Sequence, residues 1–186
     1  MITRTLFTLL LLGTMLFAHT ANAQRRDHLT PQEVDLVKEA QALDKRIDVF
    51  IKAADRRLLV LNGGAATVNA KDAKQLKKDS ERWGELPTGT RAELVNDIAR
   101  ILDEAITNID DVSARDERNP LIPKALRKLA QAVNTMMEQL KPLRGQARTE
   151  TEIASFESLN EGAQSILEAA IKLPPEAEKK AKAKNE

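Results

Sequence analysis

From residue 30 onward, apolar residues recur at helical spacing along most of the chain. Leu36, Ala40, Leu43, Ile47, Phe50, Ala54, Leu58 and Leu61 follow one another at intervals of three or four, which lines them up on one stripe of an α-helix. Val37, Ile51 and Leu59 widen the stripe, so this helix is expected to face more than one neighbour. Thr30-Pro31-Gln32-Glu33 is a start signal. The Thr30 hydroxyl can take the Glu33 amide, the Glu33 carboxylate can reach back to the Thr30 amide, and Pro31 lacks only a donor that would be idle there. Asn62-Gly63-Gly64 is a stop signal, because glycine accepts the left-handed conformation of a C-cap. The pattern predicts one continuous first helix of roughly 30 residues.

Three further helices follow by the same logic. Thr90-Arg91-Ala92-Glu93 repeats the cap, and Leu94, Ile98, Ile101, Ala105 and Ile109 continue a stripe that closes near Val112. Leu126, Leu129, Val133, Met136 and Leu140 predict a third helix starting near Pro120–Pro123, which Pro142 should end or kink. Ile153, Phe156, Leu159, Ala163, Ile166 and Ala170 predict a fourth, over about 143–173, stopped by Pro174-Pro175. Between the first and second helices, residues 70–82 can form a short polar helix. Trp83-Gly84-Glu85-Leu86-Pro87 then reads as a loop whose Trp83 and Leu86 cover one end of the bundle. The expected fold is all-α: an up-and-down, mostly antiparallel four-helix bundle over residues 30–173, with a small helical insertion between helices 1 and 2. Two alternatives remain open: long helical hairpins paired across a dimer, and a single kinked helix running through Pro142.

The ends of the chain read differently. Met1–Arg4 carries one positive charge, Leu6–Ala18 is largely apolar, and Ala21-Asn22-Ala23 precedes polar Gln24. This is the order of a cleavable signal peptide over residues 1–23, and it points to a bacterial periplasmic or secreted protein. The apolar run falls short of the roughly 20 residues that span a bilayer, and no later segment qualifies, so no stable membrane insertion is expected after cleavage. Residues 24–29 read as a flexible lead, and 174–186 as a disordered charged tail with no apolar residue larger than Ala beyond its two prolines.

Charge and composition narrow the function. Lys and Arg number 29 and Asp and Glu 28, and removing Arg4 with the signal leaves 28 of each. That balance argues against a nucleic-acid partner, which calls for a basic excess on one element. With no cysteine in the chain, disulfides, thiolate chemistry and cysteine-ligated metals are excluded.

Candidate chemistry is sparse. His28 is the one histidine after the signal and sits in the lead, a poor place to orient a catalytic imidazole. Ser80, Ser113, Ser155, Ser158 and Ser165 have no nucleophile-elbow context. The Glu-x-x-His pattern of di-iron bundles is absent. Asp103, Glu104, Asp110, Asp111, Asp116 and Glu117 cluster near the end of the second helix, but the adjacent Arg115 and Arg118 favour a solvated face over a metal site. The one-turn pairs Asp44/Asp48 and Glu93/Asp97 are common on exposed helices. Lys71, Lys74, Lys77 and Lys78 are diluted by Asp72 and Asp79 and lack the apolar face of a membrane-surface helix. Arg56 and Arg57 suit a helix C-terminus and are also candidates for an anionic ligand. The binding candidates are therefore Trp83, Leu86, Arg56 and Arg57, with no catalytic residue, metal or cofactor. The expected function is a non-catalytic structural or protein-interaction module of the cell envelope, working on an envelope partner or by self-association. The alternative is a periplasmic adaptor, sensor or chaperone-like domain that takes a helix or small apolar ligand in its groove.

Overall fold

The computed structural model describes residues 26–64 and 70–174. The expected signal peptide and nearly all of the expected tail lie outside these residues. Six helices appear in chain order: α1 Pro31–Glu39, α2 Leu43–Leu61, α3 Ala70–Trp83, α4 Arg91–Arg115, α5 Leu121–Gly145 and α6 Glu150–Ile171. The long helices α2, α4, α5 and α6 form the bundle, α1 packs beside α2, and α3 packs against α1. None of the described helices is long and apolar enough to cross a membrane.

The single long helix expected over residues 30–61 is in fact a helical hairpin of α1 and α2. Hydrophobic spacing is blind to the break, because the stripe resumes in phase on the far side. Glu33 shows why the chain must turn. In a continuous helix it would stand about 36 Å from Arg57 at 1.5 Å per residue, yet their side chains meet at 2.6 Å. Two side chains take up carbonyls left open at the end of α1: Gln41 Nε2 donates to Lys38 O at 2.9 Å, and Arg46 Nε donates to Ala40 O at 3.1 Å.

Capping boxes at Thr30/Glu33, Thr90/Glu93 and Thr149/Glu152 set the starts of α1, α4 and α6. The third of these starts α6 at Glu150, not near 143 as expected. The chain between the last two helices is a short loop, so they are separate rather than one kinked rod. Pro142 does not end α5, which runs on to Gly145. It falls in the last turn, where the donor it lacks costs a single bond and the helix is about to stop. Likewise α4 continues past Val112 to Arg115, and α3 includes Trp83, which was expected in a loop. Thr149→Ala is expected to lower stability by about 1 kcal/mol. Urea unfolding followed by circular dichroism measures it, and an unchanged midpoint would show that the cap contributes nothing.

Ion pairs give the helix directions. Lys124 meets Asp44 and Lys128 meets Asp48, each at 2.6 Å, so α5 runs parallel to α2. Arg46 donates to Asn108, joining the start of α2 to the end of α4, so these two are antiparallel. Arg91 faces Glu152, start to start, so α4 and α6 are parallel. The chain therefore alternates up and down, but the ring order is α2–α4–α6–α5, with α4 and α5 meeting across a diagonal. Two sides of the bundle pair parallel helices and two pair antiparallel ones. Ile47, Phe50, Ile98, Ile101, Leu129 and Met136 are among the fully buried side chains at the centre.

Candidate functional site

Arg56 and Arg57 lie on the flank of α2 that faces α1, away from bulk water. They are only 4% and 1% exposed, and Glu33 between them is 0% exposed. One carboxylate holds both guanidiniums: Glu33 Oε1 accepts from Arg56 Nε at 3.1 Å and from Arg57 Nη1 at 2.6 Å. Glu33 Oε2 accepts the Thr30 amide at 2.9 Å. The residue that sequence assigns to a helix cap is thus also the anion of a buried triad. Ion pairs removed from water are tolerated when every arm is bonded, and most arms here are. Arg57 also donates to Ala53 O and His28 O, and Arg56 to Gly84 O and Glu85 O. Arg57 Nε alone among these guanidinium nitrogens is buried without a hydrogen-bond partner. Burial pulls the Arg56 pKa below its ordinary value, and Glu33 opposes that shift.

The turn after α3 is shaped for this contact. Gly84 adopts a left-handed φ of 69°, where a side chain would be strained and would meet Gln32. The turn aims the carbonyls of Gly84 and Glu85 at Arg56. The Arg56 guanidinium also lies 5.8 Å from the centre of the Trp83 ring, within range of cation–π attraction. Trp83 is half-buried against the core, so it supports the arginine as much as it covers the bundle end.

A second cluster clamps residues 26–29 to the bundle. Arg26 Nη2 donates to Asp97 at 2.8 Å, Arg100 donates to Arg26 O at 2.8 Å, and His28 Nε2 meets Glu104 at 2.7 Å. Leu29 enters the core at 7% exposure. The described part of the segment expected to be a flexible lead is therefore packed. Arg26 also faces Glu93 at 3.5 Å. A Cβ at Gly89 would overlap the Arg26 guanidinium, so glycine there leaves room for the clamp.

The two carboxylates nearest Arg26 are pushed in opposite directions. Hydrogen bonds from Thr90 hold Glu93 below the usual range, whereas burial lifts Asp97 above it against the pull of Arg26 and Arg57. A raised carboxyl destabilises the fold while it is charged, and that cost is relieved as pH falls through its folded pKa. Asp44, held low chiefly by Lys124, together with Glu93 and Glu152, does the reverse and loses stability on acidification. Asp97→Asn is therefore expected to steepen the loss of stability from about pH 6 to about pH 3. Urea midpoints across that range give the slope, and identical slopes in wild type and variant would show that Asp97 is not shifted.

Beside these clusters opens a cleft of about 810 Å³ between residues 26–38 and the 85–88 loop. Arg57 and Leu86 line it together with Arg26, Lys38, Val34 and Pro87. The fold thus gathers all four sequence candidates in one corner: Leu86 and Arg57 on the cleft, Arg56 and Trp83 behind it. Sequence did not single out Arg26, Arg100 or Glu33 as parts of a site. The clamp bonds span 71 to 76 positions, and no local spacing rule reaches that far.

Three of the remaining candidates make contacts within the fold. Asp44 and Asp48 staple α2 to α5. Ser155 donates to Thr151 O within its own helix. Among the described residues, no three His, Asp or Glu side chains are grouped to hold a metal. Comparison with family models, curated proteins and solved structures finds no match to this chain.

Proposed function

We propose that this protein is exported, loses residues 1–23, and serves in the bacterial cell envelope, in the periplasm or secreted, as a non-catalytic interaction module that grips a partner in the cleft beside Arg57 and Leu86. The observation that carries the reading is that cleft, with apolar Leu86, Val34 and Pro87 beside the charged residues Arg26, Asp27, Asp35, Lys38 and Glu85. An apolar contact ringed by polar groups is the anatomy of a protein interface. The N-terminal export pattern supports the compartment.

The test is site-specific photo-crosslinking in the native envelope, with the photoreactive residue at position 86 or at position 164 on α6. Adducts from position 86 alone, lost when Lys38→Glu replaces a cation of the cleft wall with an anion, are the expected result. The same adducts from both positions, or none from position 86, would remove the cleft from consideration.

A second reading draws on a smaller gap of about 180 Å³ between α5 and α6, lined by Met137, Leu140, Phe156 and Leu159 among others. Its four apolar side chains, beside Glu138, Lys141 and Arg144, suit a small apolar ligand in an adaptor, sensor or chaperone-like domain. Quenching of an apolar fluorescent probe by Leu159→Trp, absent in the cleft variants, would favour it.

A further inference from the structure

We propose that the α5–α6 side of the bundle is a docking face for a second copy of this chain, in a two-fold dimer that sets α5 of each copy against α6 of the other.

The two helices on this side carry opposite charge. α6 has Glu150, Glu152, Glu157, Glu161 and Glu168 and neither Lys nor Arg. α5 has Lys124, Arg127, Lys128, Lys141 and Arg144 against the single Glu138. Although they are neighbours, the two helices do not neutralise each other. Glu152 pairs with Arg91 of α4, Lys124 and Lys128 pair with α2, and Lys141 reaches Glu138 of its own helix at 3.9 Å. Glu157, Glu161 and Glu168 stand exposed.

The same side holds exposed apolar surface. Phe156 and Leu159 line the gap toward α5, whereas Thr151, Ala154 and Ser158 line the groove toward α4. Ile153, Glu157, Asn160, Gln164, Leu167 and Ile171 follow at intervals of four and three, so they form one stripe on the α5 edge of α6. Ile153 and Ile171 are the exposed large apolar residues of the described chain, at 45% and 82%. They are separated by about five whole turns, so both point the same way. Met137 of α5 and Leu167 of α6 are only partly buried.

A second copy satisfies both features at once. A two-fold axis along the groove between α5 and α6 lays α5 over α6 of the other copy, and symmetry supplies the reverse pair. This axis leaves heights along the bundle unchanged. Lys141 lines the gap with Phe156, which puts it level with Glu157. Arg127 donates to the Pro174 carbonyl, which puts it level with the last turns of α6. Lys141 of each copy then meets Glu157 of the other, Arg127 meets Glu168, and Ile153 and Ile171 are covered. An axis across the helices would instead set α5 on α5 and α6 on α6, like charge against like. The face is about 20 Å wide and about 33 Å long. That is roughly 650 Å² a side, near the lower end for a stable interface, and fits a dimer of micromolar affinity. The strap of residues 26–29 is held by α4 and α2, on the opposite side of the ring, so dimerisation leaves the cleft beside it open.

The experiment is sedimentation velocity on residues 24–186, which contain every described residue, from about 1 to about 300 µM. A monomer–dimer equilibrium is expected, weakened several-fold by high salt. Glu157→Lys and Lys141→Glu change exposed side chains, and circular dichroism checks that each variant is folded. Each is expected to weaken the dimer about tenfold, because the two-fold axis repeats every reversal. Together they restore the pairing with signs exchanged, and the dimer should return to within about threefold of wild type. A photoreactive residue at position 164 should link two copies of this chain, a product separate from the partner adducts expected at position 86 alone. A monomer throughout the range would overturn the proposal and leave this side to a different protein. A dimer indifferent to both reversals would overturn it as well, and so would one that both reversals weaken and the double variant fails to restore.

Discussion

Replacing Glu33 with Ala is expected to destabilise the protein by roughly 3–5 kcal/mol, the cost of breaking a buried ion pair from one side. The removed carboxylate is the common partner of two guanidiniums that are 4% and 1% exposed. Without it, two positive charges stand side by side out of water. The variant also loses the return bond to the Thr30 amide. A double variant separates charge from packing: Glu33→Met with Arg57→Met removes one charge of each sign and should recover part of the loss, because apolar replacements of a buried pair are often tolerated. Urea unfolding gives both numbers. If Glu33→Ala costs no more than Glu157→Ala at an exposed position of α6, the triad holds nothing together.

Phe50→Ala is expected to cost about 3–5 kcal/mol, the range for emptying a buried aromatic position. Phe50 is 0% exposed and belongs to the central core cluster. Ile171, at 82% exposure, is the contrast: Ile171→Ala should stay within about 0.5 kcal/mol of wild type. Phe50 and Arg57 are seven positions apart on α2, about 10 Å along its axis. The losses from Phe50→Ala and Glu33→Ala should therefore add. Strong non-additivity would mean that the α1–α2 hairpin and the bundle share one cavity or one backbone shift.

The two substitutions probe layers of unequal legibility. Phe50 was marked by spacing alone, since every third or fourth residue around it is apolar. Glu33 was legible only as a cap. Its partners are 23 and 24 positions away, and the break at residues 40–42 that brings them together carries neither proline nor glycine. Trp83 and Leu86 were picked for their residue types; Leu86 lines the cleft, whereas Trp83 packs against Arg56. The opposing cleft wall, residues 26–38, was unforeseen, because nothing local tells a docked lead from a free one.

By itself the sequence determined the helical class, the boundaries marked by Thr30, Thr90 and Gly63, and most of the core face of the long helices; Ile153, expected on that face of α6, is 45% exposed. These follow from interactions within a few residues: cap hydrogen bonds, glycine's left-handed freedom, and the 3.6-residue period that sorts apolar from polar. Only the tertiary structure decided the ring order α2–α4–α6–α5, the folding back of α1, and the clamp on residues 26–29. An apolar stripe has no address and packs as well against one stripe as another. The arrangement seen is accompanied by charge pairs such as Lys124–Asp44, Arg57–Glu33 and Arg26–Asp97, which exist only once distant segments have met.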